Sequence, residues 1–482
     1  MTDAREQVLA LLREHGWNTT SFQVLERGFV YWFDSEGPAC VAYVDTGSAW
    51  VVAGAPIAER DGLAGCGQRF VEAARKARRR VCFFAVEDRF VEVAQMESMP
   101  IGTQPSWDPA AWEDTVRKDR RLREQLNRAR AKGVSTRPLA GREIADADAS
   151  IRPRIEQIVA RWQATRKMAP MGFIVDVQPY DLAVERRYFI AERDGEPVGL
   201  LVAVPVYRRN GWLFEDLLRL DVAPNGTTEL LFDTAMRAVA AEGSGYVTMG
   251  LAPLAGDVHA GLRFLRALGS ALYDFDGVRR FKAKLRPDAW STIHLAWPTE
   301  QSGNVAMVDS LAAFTMRGRD GHDRASFVRF GFETLAHAPA FAVRLLSLAL
   351  VPWTLAIALV PTAWFFPSRA VQLAWVVWDI ALVVAMLSLA SRWRQGLARA
   401  LAVATLLDAT LTTVEVIVDG VYRAHTVIDF VVLVVACVGP LLATSLLWGA
   451  LARRRSTGGS SGTAGLPSST ASSSPARSGG GR

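Results

Sequence analysis

Cysteine is scarce in this chain: four residues in 482, at positions 40, 66, 82 and 437. No two have metal-ligand spacing, and Cys437 falls in an apolar stretch, which argues against a disulfide scaffold and suits a reducing compartment for the polar part of the chain. Histidine is equally sparse. The six residues at 15, 259, 294, 322, 337 and 425 are scattered, so no metal is expected. Lysine occurs only at 76, 118, 132, 167, 282 and 284, and nearly all the positive charge is arginine. The net charge of +6 is mild for this length and does not by itself argue for a nucleic-acid partner. It does single out Phe281–Leu285 (FKAKL), which holds two of the six lysines. The N-terminus, MTDAREQVLALLREHGW, lacks a long apolar core and reads as an amphipathic helix rather than a signal peptide.

What is present divides into a globular part and an apolar part. After the first helix, strand-like runs at 21–25, 28–33, 39–45 and 49–53 are separated by turn residues, and a helix at 62–80 leads to a buried strand at 81–86. The pattern then restarts. A basic helix is read over Ala110–Lys132 and a second over Ile151–Arg166. A hairpin turns at Asp194-Gly195, a strand covers 212–220, a helix Thr227–Ala241, a strand 246–251, a helix His259–Leu268 and a last strand 291–296. The repeated order of strands, helix and strand predicts an α+β fold of two modules, 1–105 and 106–300, with a connector at 301–340.

Four apolar runs follow, at about 345–366, 371–390, 397–418 and 427–450, each near the ~20 residues that cross a bilayer. They make 341–452 a helical membrane domain. Arg392, Arg394 and Arg399 fill the middle loop, Arg344 precedes the first span, and Arg453–Arg455 follow the last. The positive-inside rule then places the globular modules and the tail in the cytoplasm. The Ser/Gly-rich tail, 453–482, is expected to be disordered. Asp408 and Glu415, seven apart in the third span, share a helix face, which suits a lipid headgroup path, a packed polar seam or a span end nearer the surface.

The candidate chemistry centres on Phe214–Gly226 (FEDLLRLDVAPNG). Asp216 suits a general base for a hydroxyl or amine, and Arg219 a phosphate clamp. They lie three apart, so in a regular strand they face opposite ways and converge only if the strand bends. A surface ion pair is the alternative. Asn225-Gly226-Thr227 opens a helix whose backbone N–H groups suit an anion or are simply capped. In FKAKL the alternation of Phe281, Lys282, Ala283 and Lys284 places both lysines on one face of a strand, where they contact phosphate or merely solvent. Arg128 belongs to the basic helix 110–132, which faces RNA phosphates, anionic lipid or water.

With these residues placed, 20–300 resembles the catalytic region of the phosphatidylglycerol lysyltransferases. The matching stretches are Trp50–Ile57, Leu126–Gly133, Met171-Gly172-Phe173, Asp216–Gly226, Gly250–Leu254 and Phe281–Leu285. The resemblance implies two tandem acetyltransferase-like (GNAT-like) folds. It implies transfer of an aminoacyl group from aminoacyl-tRNA to the hydroxyl of phosphatidylglycerol or another anionic lipid, at the cytoplasmic side of a bacterial inner membrane. Asp216, Arg219 and Lys284 become catalytic candidates. Lys282, Gly172, Phe173, Asn225, Gly226 and Arg128 become substrate-binding candidates. One ester replaces another, so no cofactor is expected. Two departures stand out. The best-known members carry their membrane region before the catalytic region and have more spans, so lipid flipping is not carried over. The family's Gly-Phe-Ser segment reads Gly172-Phe173-Ile174 here. Two alternatives share the fold: an acyl-CoA-dependent N-acyltransferase and a non-catalytic membrane-anchored module.

Overall fold

A computed structural model describes residues 3–146, 149–166, 171–177, 179–256, 273–316, 338–420 and 426–459, with a few isolated positions between 262 and 335. They form two compact units, Met1–His337 and Ala338–Arg482. Most of the helix expected at His259–Leu268, much of the connector and the tail from 460 lie outside the described residues.

The first unit is built on one mixed sheet. Its elements in chain order are α1 (Asp3–His15), β1 (Val30–Phe33), β2 (Cys40–Asp45), β3 (Ala49–Ala53), α2 (Leu63–Lys76), β4 (Arg80–Val86), β5 (Glu97–Trp107), α3 (Trp112–Lys118), α4 (Arg120–Ala131), β6 (Val134–Leu139), α5 (Arg152–Ala164), β7 (Arg187–Arg193), β8 (Glu196–Val206), β9 (Gly211–Arg219), α6 (Thr227–Ala241), β10 (Tyr246–Thr248), β11 (Ala252–Pro253), α7 (Phe275–Lys284), β12 (Ala289–Trp297) and α8 (Gly303–Thr315). The strand order is β1-β2-β3-β4-β12-β5-β10-β9-β8-β7-β6, and β11 adds to β5. The expected α+β character holds, and the tandem modules share this sheet. β12, late in the sequence, lies between β4 and β5 and pairs antiparallel with both.

Local chemistry explains most boundaries. The β7–β8 hairpin turns at Asp194 and Gly195, both with positive φ, as a two-residue turn between twisted strands requires. The basic helix expected over 110–132 is instead two helices. Asp119 breaks it: its extended backbone ends α3, and its Oδ1 accepts from Leu122 N to cap α4 at 2.9 Å. Phe281–Lys284 is also not a strand. It ends helix α7, which Asp274 caps by accepting from Gly277 N at 2.8 Å. The four-residue alternation was part of a longer pattern, because Val278, Phe281, Lys282 and Leu285 follow helical spacing.

Apolar packing covers both faces of the second half of the sheet. On one face Trp107, Trp112 and Phe214 surround Phe232 of α6 with ring centroids 5.1–5.4 Å apart. On the other, Leu218 and Leu220 pack with Ile155 and Ile158 of α5 and Tyr188 of β7. A third cluster draws from the whole unit, joining Leu12, Val51, Val204, Leu213, Leu295 and Ala313.

The second unit holds four helices long and apolar enough to cross a membrane: α9 (Pro339–Leu359), α10 (Arg369–Ser391), α11 (Gln395–Glu415) and α12 (Val427–Gly459). The first ends seven residues before the expected Phe366, because Pro361 cannot continue it. Their polarity is inside out. Leu355, Val377, Val384, Leu407 and Val434 are exposed, whereas Asp379, Asp408, Thr405 and Gln372 are buried. The tryptophans of α10 satisfy acids of α11: Trp378 donates to Asp408 at 3.1 Å and Trp375 to Glu415 at 2.9 Å. Of the readings of the Asp408–Glu415 face, these bonds describe a packed polar seam. Apolar surface with internal polar bonds is the arrangement a lipid environment selects.

Candidate active site

The sheet opens at one place. β10 runs parallel to β9 for three pairs, Tyr246↔Gly211, Val247↔Trp212 and Thr248↔Leu213, and then leaves it. Residues 249–254 turn onto β5 instead, where Ala252 faces Thr103 and Leu254 N donates to Ile101 O at 2.8 Å. From Phe214 onward β9 has no strand on that side among the described residues. The counterpart in the first module is closed: β3 and β4 pair through Ala53↔Phe84, and Gly54 N donates to Phe84 O at 2.7 Å. Among the described residues, such a wedge between two parallel strands opens in the second module and not in the first.

The wall of the wedge that diverges is held by Lys282. This side chain is buried, and its Nζ donates to the carbonyls of Met249, Gly250 and Leu251 at 2.8–2.9 Å. Burial pushes the ammonium down to about 7, while three carbonyl acceptors favour keeping its proton. Gly250 takes φ +67° within this turn, a conformation that disfavours any side chain. Lys282 therefore shapes the wedge, and its donors are already used.

The opposite wall carries acids. The pairing of β8 with β9 slips at one point: Ala203 faces Phe214 and Val202 faces Asp216, so Glu215 is an inserted bulge residue. The bulge places two adjacent carboxylates in the interior. Glu215 Oε2 accepts from Arg186 Nη1 at 2.7 Å, and Arg186 Nη2 donates to Glu26 at 3.4 Å. Arg186 is only 2% exposed, and its Nε donates to Asp181 O at 3.0 Å. Asp216 is 8% exposed. Burial, then the neighbouring Glu215, raises its carboxyl to about 8, against the pull of Arg186. Burial and Glu215 also push Glu26 well above the usual carboxylate range.

Arg219 lies elsewhere. It pairs in register with Gly199, on the face that a side chain at Gly199 would share with Thr227 and Leu231 of α6. Asp216 lies on the alternate face, with Leu218. The bulge comes before Asp216, not between Asp216 and Arg219, so the two are not brought to one side. Arg219 Nη1 instead donates to Asn225 Oδ1 at 3.4 Å, just before α6. Lys284 reaches the same helix start, where it pairs with the buried Glu229. The start of α6 is otherwise filled. Gly226 takes φ +98°, and a Cβ there would overlap the Gln125 carbonyl of α4. Thr227 is fully buried, with its hydroxyl donating to Pro224 O at 2.7 Å. With Glu229 in the first turn, this helix start is poorly suited to a pyrophosphate.

Phe173, next to Gly172, is placed in a core cluster that also takes in Leu213 of β9 and Leu251 and Leu254 from the diverging wall. Gly172 N donates to Phe314 O at 2.9 Å, and the buried Phe173 ring lies 5.3–6.1 Å from those of Phe29, Phe84 and Phe314. Arg128 and Arg121 are exposed on α4, and Lys132 is exposed just after it. Glu26, Arg186, Glu215 and Glu229 were not foreseen. Alternation along β9 cannot locate a bulge, and Glu26 reaches Arg186 across 160 residues.

Residues 9–296, more than half of the chain, match the family described as phosphatidylglycerol lysyltransferase, C-terminal. The chain belongs to that family. A phosphatidylglycerol lysyltransferase of Bacillus subtilis is 25% identical over 320 residues, which are 63% of this chain and 36% of that protein. The chain thus matches about a third of that relative's length. Two solved structures share the fold of this phosphatidylglycerol lysyltransferase-family chain. One is L-PGS from Bacillus licheniformis, at 22% identity and TM-score 0.56, covering 65% of this chain and 97% of that one. The other is the C-terminal domain of a candidate lysylphosphatidylglycerol synthetase from Agrobacterium fabrum, at 21% identity and TM-score 0.54, covering 64% and 95%. Four helices long and apolar enough to cross a membrane follow the matched region.

Proposed function

We propose that the chain is a membrane-anchored aminoacyltransferase that moves an aminoacyl group from aminoacyl-tRNA to the hydroxyl of phosphatidylglycerol or a related anionic lipid. It works at the cytoplasmic face of the bacterial inner membrane. The observation that carries this reading is the open wedge beside β9 with a buried, high-pKa carboxyl, Asp216, on its wall. The lipid hydroxyl oxygen attacks the aminoacyl carbonyl carbon. The bond from that carbon to the ribose oxygen breaks, and the hydroxyl proton ends on the leaving ribose oxygen. A carboxyl titrating near 8 suits both halves of that proton transfer. Lys282 positions the facing wall. Arg219 and Lys284, at the start of α6, supply positive charge for phosphate on the other face of β9. Groups on opposite faces act on one reaction only across the gap in the sheet. Arg121, Arg128 and Lys132 offer exposed charge for RNA, without sequence preference.

The filled start of α6 disfavours the acyl-CoA reading, because that cofactor's pyrophosphate needs open N–H groups there. Lipid extracts from cells with and without the gene, compared by mass spectrometry, test the proposal. A new aminoacylated phospholipid that disappears in Asp216→Ala cells is expected. An N-acylated amine, or unchanged lipids, would overturn it.

A further inference from the structure

Among the described residues, Glu26, Glu215 and Asp216 present three buried carboxylates to one guanidinium, Arg186. Arg5 and Arg27 are engaged nearby with Asp181, and Arg152 lies over Tyr180. Asp176 adds further negative potential at Asp216. One oxygen of each carboxylate, Glu26 Oε2, Glu215 Oε1 and Asp216 Oδ2, is buried without a hydrogen-bond partner among the described residues. Glu26 and Asp216 are more than nine-tenths buried, and the Glu215 side chain is 8% exposed. Leaving even one such acceptor unsatisfied costs about 1–3 kcal/mol.

We propose that these three oxygens form a receptor for a primary ammonium group, the positively charged end of the amino acid being transferred. This rests on the aminoacyl-transfer reading and names what that site recognises. An ammonium carries three N–H donors, which match three orphan acceptors, and one positive charge, which offsets part of the excess. A metal ion is the poorer fit. Among the described residues no group of three or more His, Cys, Asp and Glu has metal-holding geometry. Calcium also takes six to eight oxygens at short range, and Arg186 bonds two of the three carboxylates. The location agrees as well. Asp216 and Glu215 lie on β9 where β10 has left it, so the receptor borders the wedge. Glu26 comes from the first module, which gives that module a part in recognition although its own wedge is closed.

In the empty receptor, protons hold the place of the cation, since Asp216 and Glu26 both titrate high. Ligand binding therefore releases protons. Isothermal titration of the full-length protein in detergent, at pH 7.5 in two buffers of different ionisation enthalpy, tests this. The probes are lysinamide, alaninamide, n-butylammonium and, as the neutral control, n-butanol. At least one ammonium probe is expected to bind with proton release, and n-butanol is not. Alaninamide without n-butylammonium assigns the α-ammonium; n-butylammonium without alaninamide assigns a side-chain ammonium. Glu26→Gln and Glu215→Gln should each weaken binding tenfold or more. Circular dichroism checks that both are folded, and the proton release of the unmutated protein serves as a test without any variant. Binding without proton release, equal binding to both Gln variants, no binding of any ammonium, or calcium binding in their place would overturn the receptor. The transfer reading stands or falls separately on the lipid extracts.

Discussion

Replacing Asp216 by Asn should make the protein more stable and inactive at once. The carboxyl titrates at about 8 in the fold against 3.8 ordinarily. The folded state thus holds a proton that the unfolded state has released throughout the interval between these values. Where the folded state binds more protons, stability falls as pH rises. The loss begins near pH 4, accumulates to about pH 8 and is then complete. Each unit is worth about 1.36 kcal/mol, so an isolated carboxyl would cost about 4 kcal/mol at pH 7. Glu26 and Glu215 share the same field and give up their own strain only in part, so a gain of about 1–2 kcal/mol is expected from Asn. For a unit of this size that corresponds to roughly 2–6 °C in melting temperature. The assay is thermal unfolding of the full-length protein in detergent, followed by circular dichroism from pH 5 to 9, beside lipid transfer from charged tRNA. The gap between variant and parent should be small at pH 5 and widen to pH 8, with transfer lost throughout. A variant less stable than the parent at pH 7.5 would refute the reasoning. Asp216 would then be a satisfied structural partner of Arg186 rather than a buried acid held at a cost.

Other consequences follow from the same geometry. Arg186→Met removes the one cation among these acids and should lower stability by about 3–5 kcal/mol in urea unfolding, with part of the loss recovered when Glu215→Gln is added. Lys282→Met frees three carbonyls and should cost about 2 kcal/mol or more, and deuterium uptake across Met249–Leu251 should rise. Arg128→Ala and Lys132→Ala should each weaken tRNA binding similarly for every tRNA tested. Each should also reduce the slope of log affinity against log salt by about 0.7–0.9, measured by filter binding between 50 and 200 mM salt.

Periodicity and turn chemistry made much of the architecture readable. Asp194-Gly195 fixed the β7–β8 hairpin, and the four apolar runs matched four long helices, with ends up to nine residues apart. What escaped the sequence depended on single local choices. Asp119 turned one basic helix into two because its side chain caps the second. FKAK looked like a strand over four residues, and the helical spacing from Val278 to Leu285 was visible only over eight. The sequence offered Asp216 as a candidate but not its setting. Glu215 was hidden by a one-residue slip in register. Glu26 and Arg186 carried no local signal, since their meaning comes from meeting across the sheet. Arg219 shows the reverse limit: at three residues from Asp216 it meets it only if the strand bends between them, and the bulge comes before Asp216 and leaves them on opposite faces.

The place of β12 bears on how the chain is made. β4 and β5 leave the ribosome early, but the strand that joins them emerges about 180 residues later, on the order of 10–40 s at ordinary synthesis rates. Until then each presents an open edge, and exposed edges invite pairing with other chains. The first apolar helix begins at Pro339, soon after β12 ends at Trp297, so completion of the sheet and delivery to the membrane fall close together in time. A chain interrupted anywhere before Ala289 has neither. Fragments ending between the modules are therefore expected to aggregate, and expression of the whole chain to depend on chaperones that shield β4 and β5 during the wait.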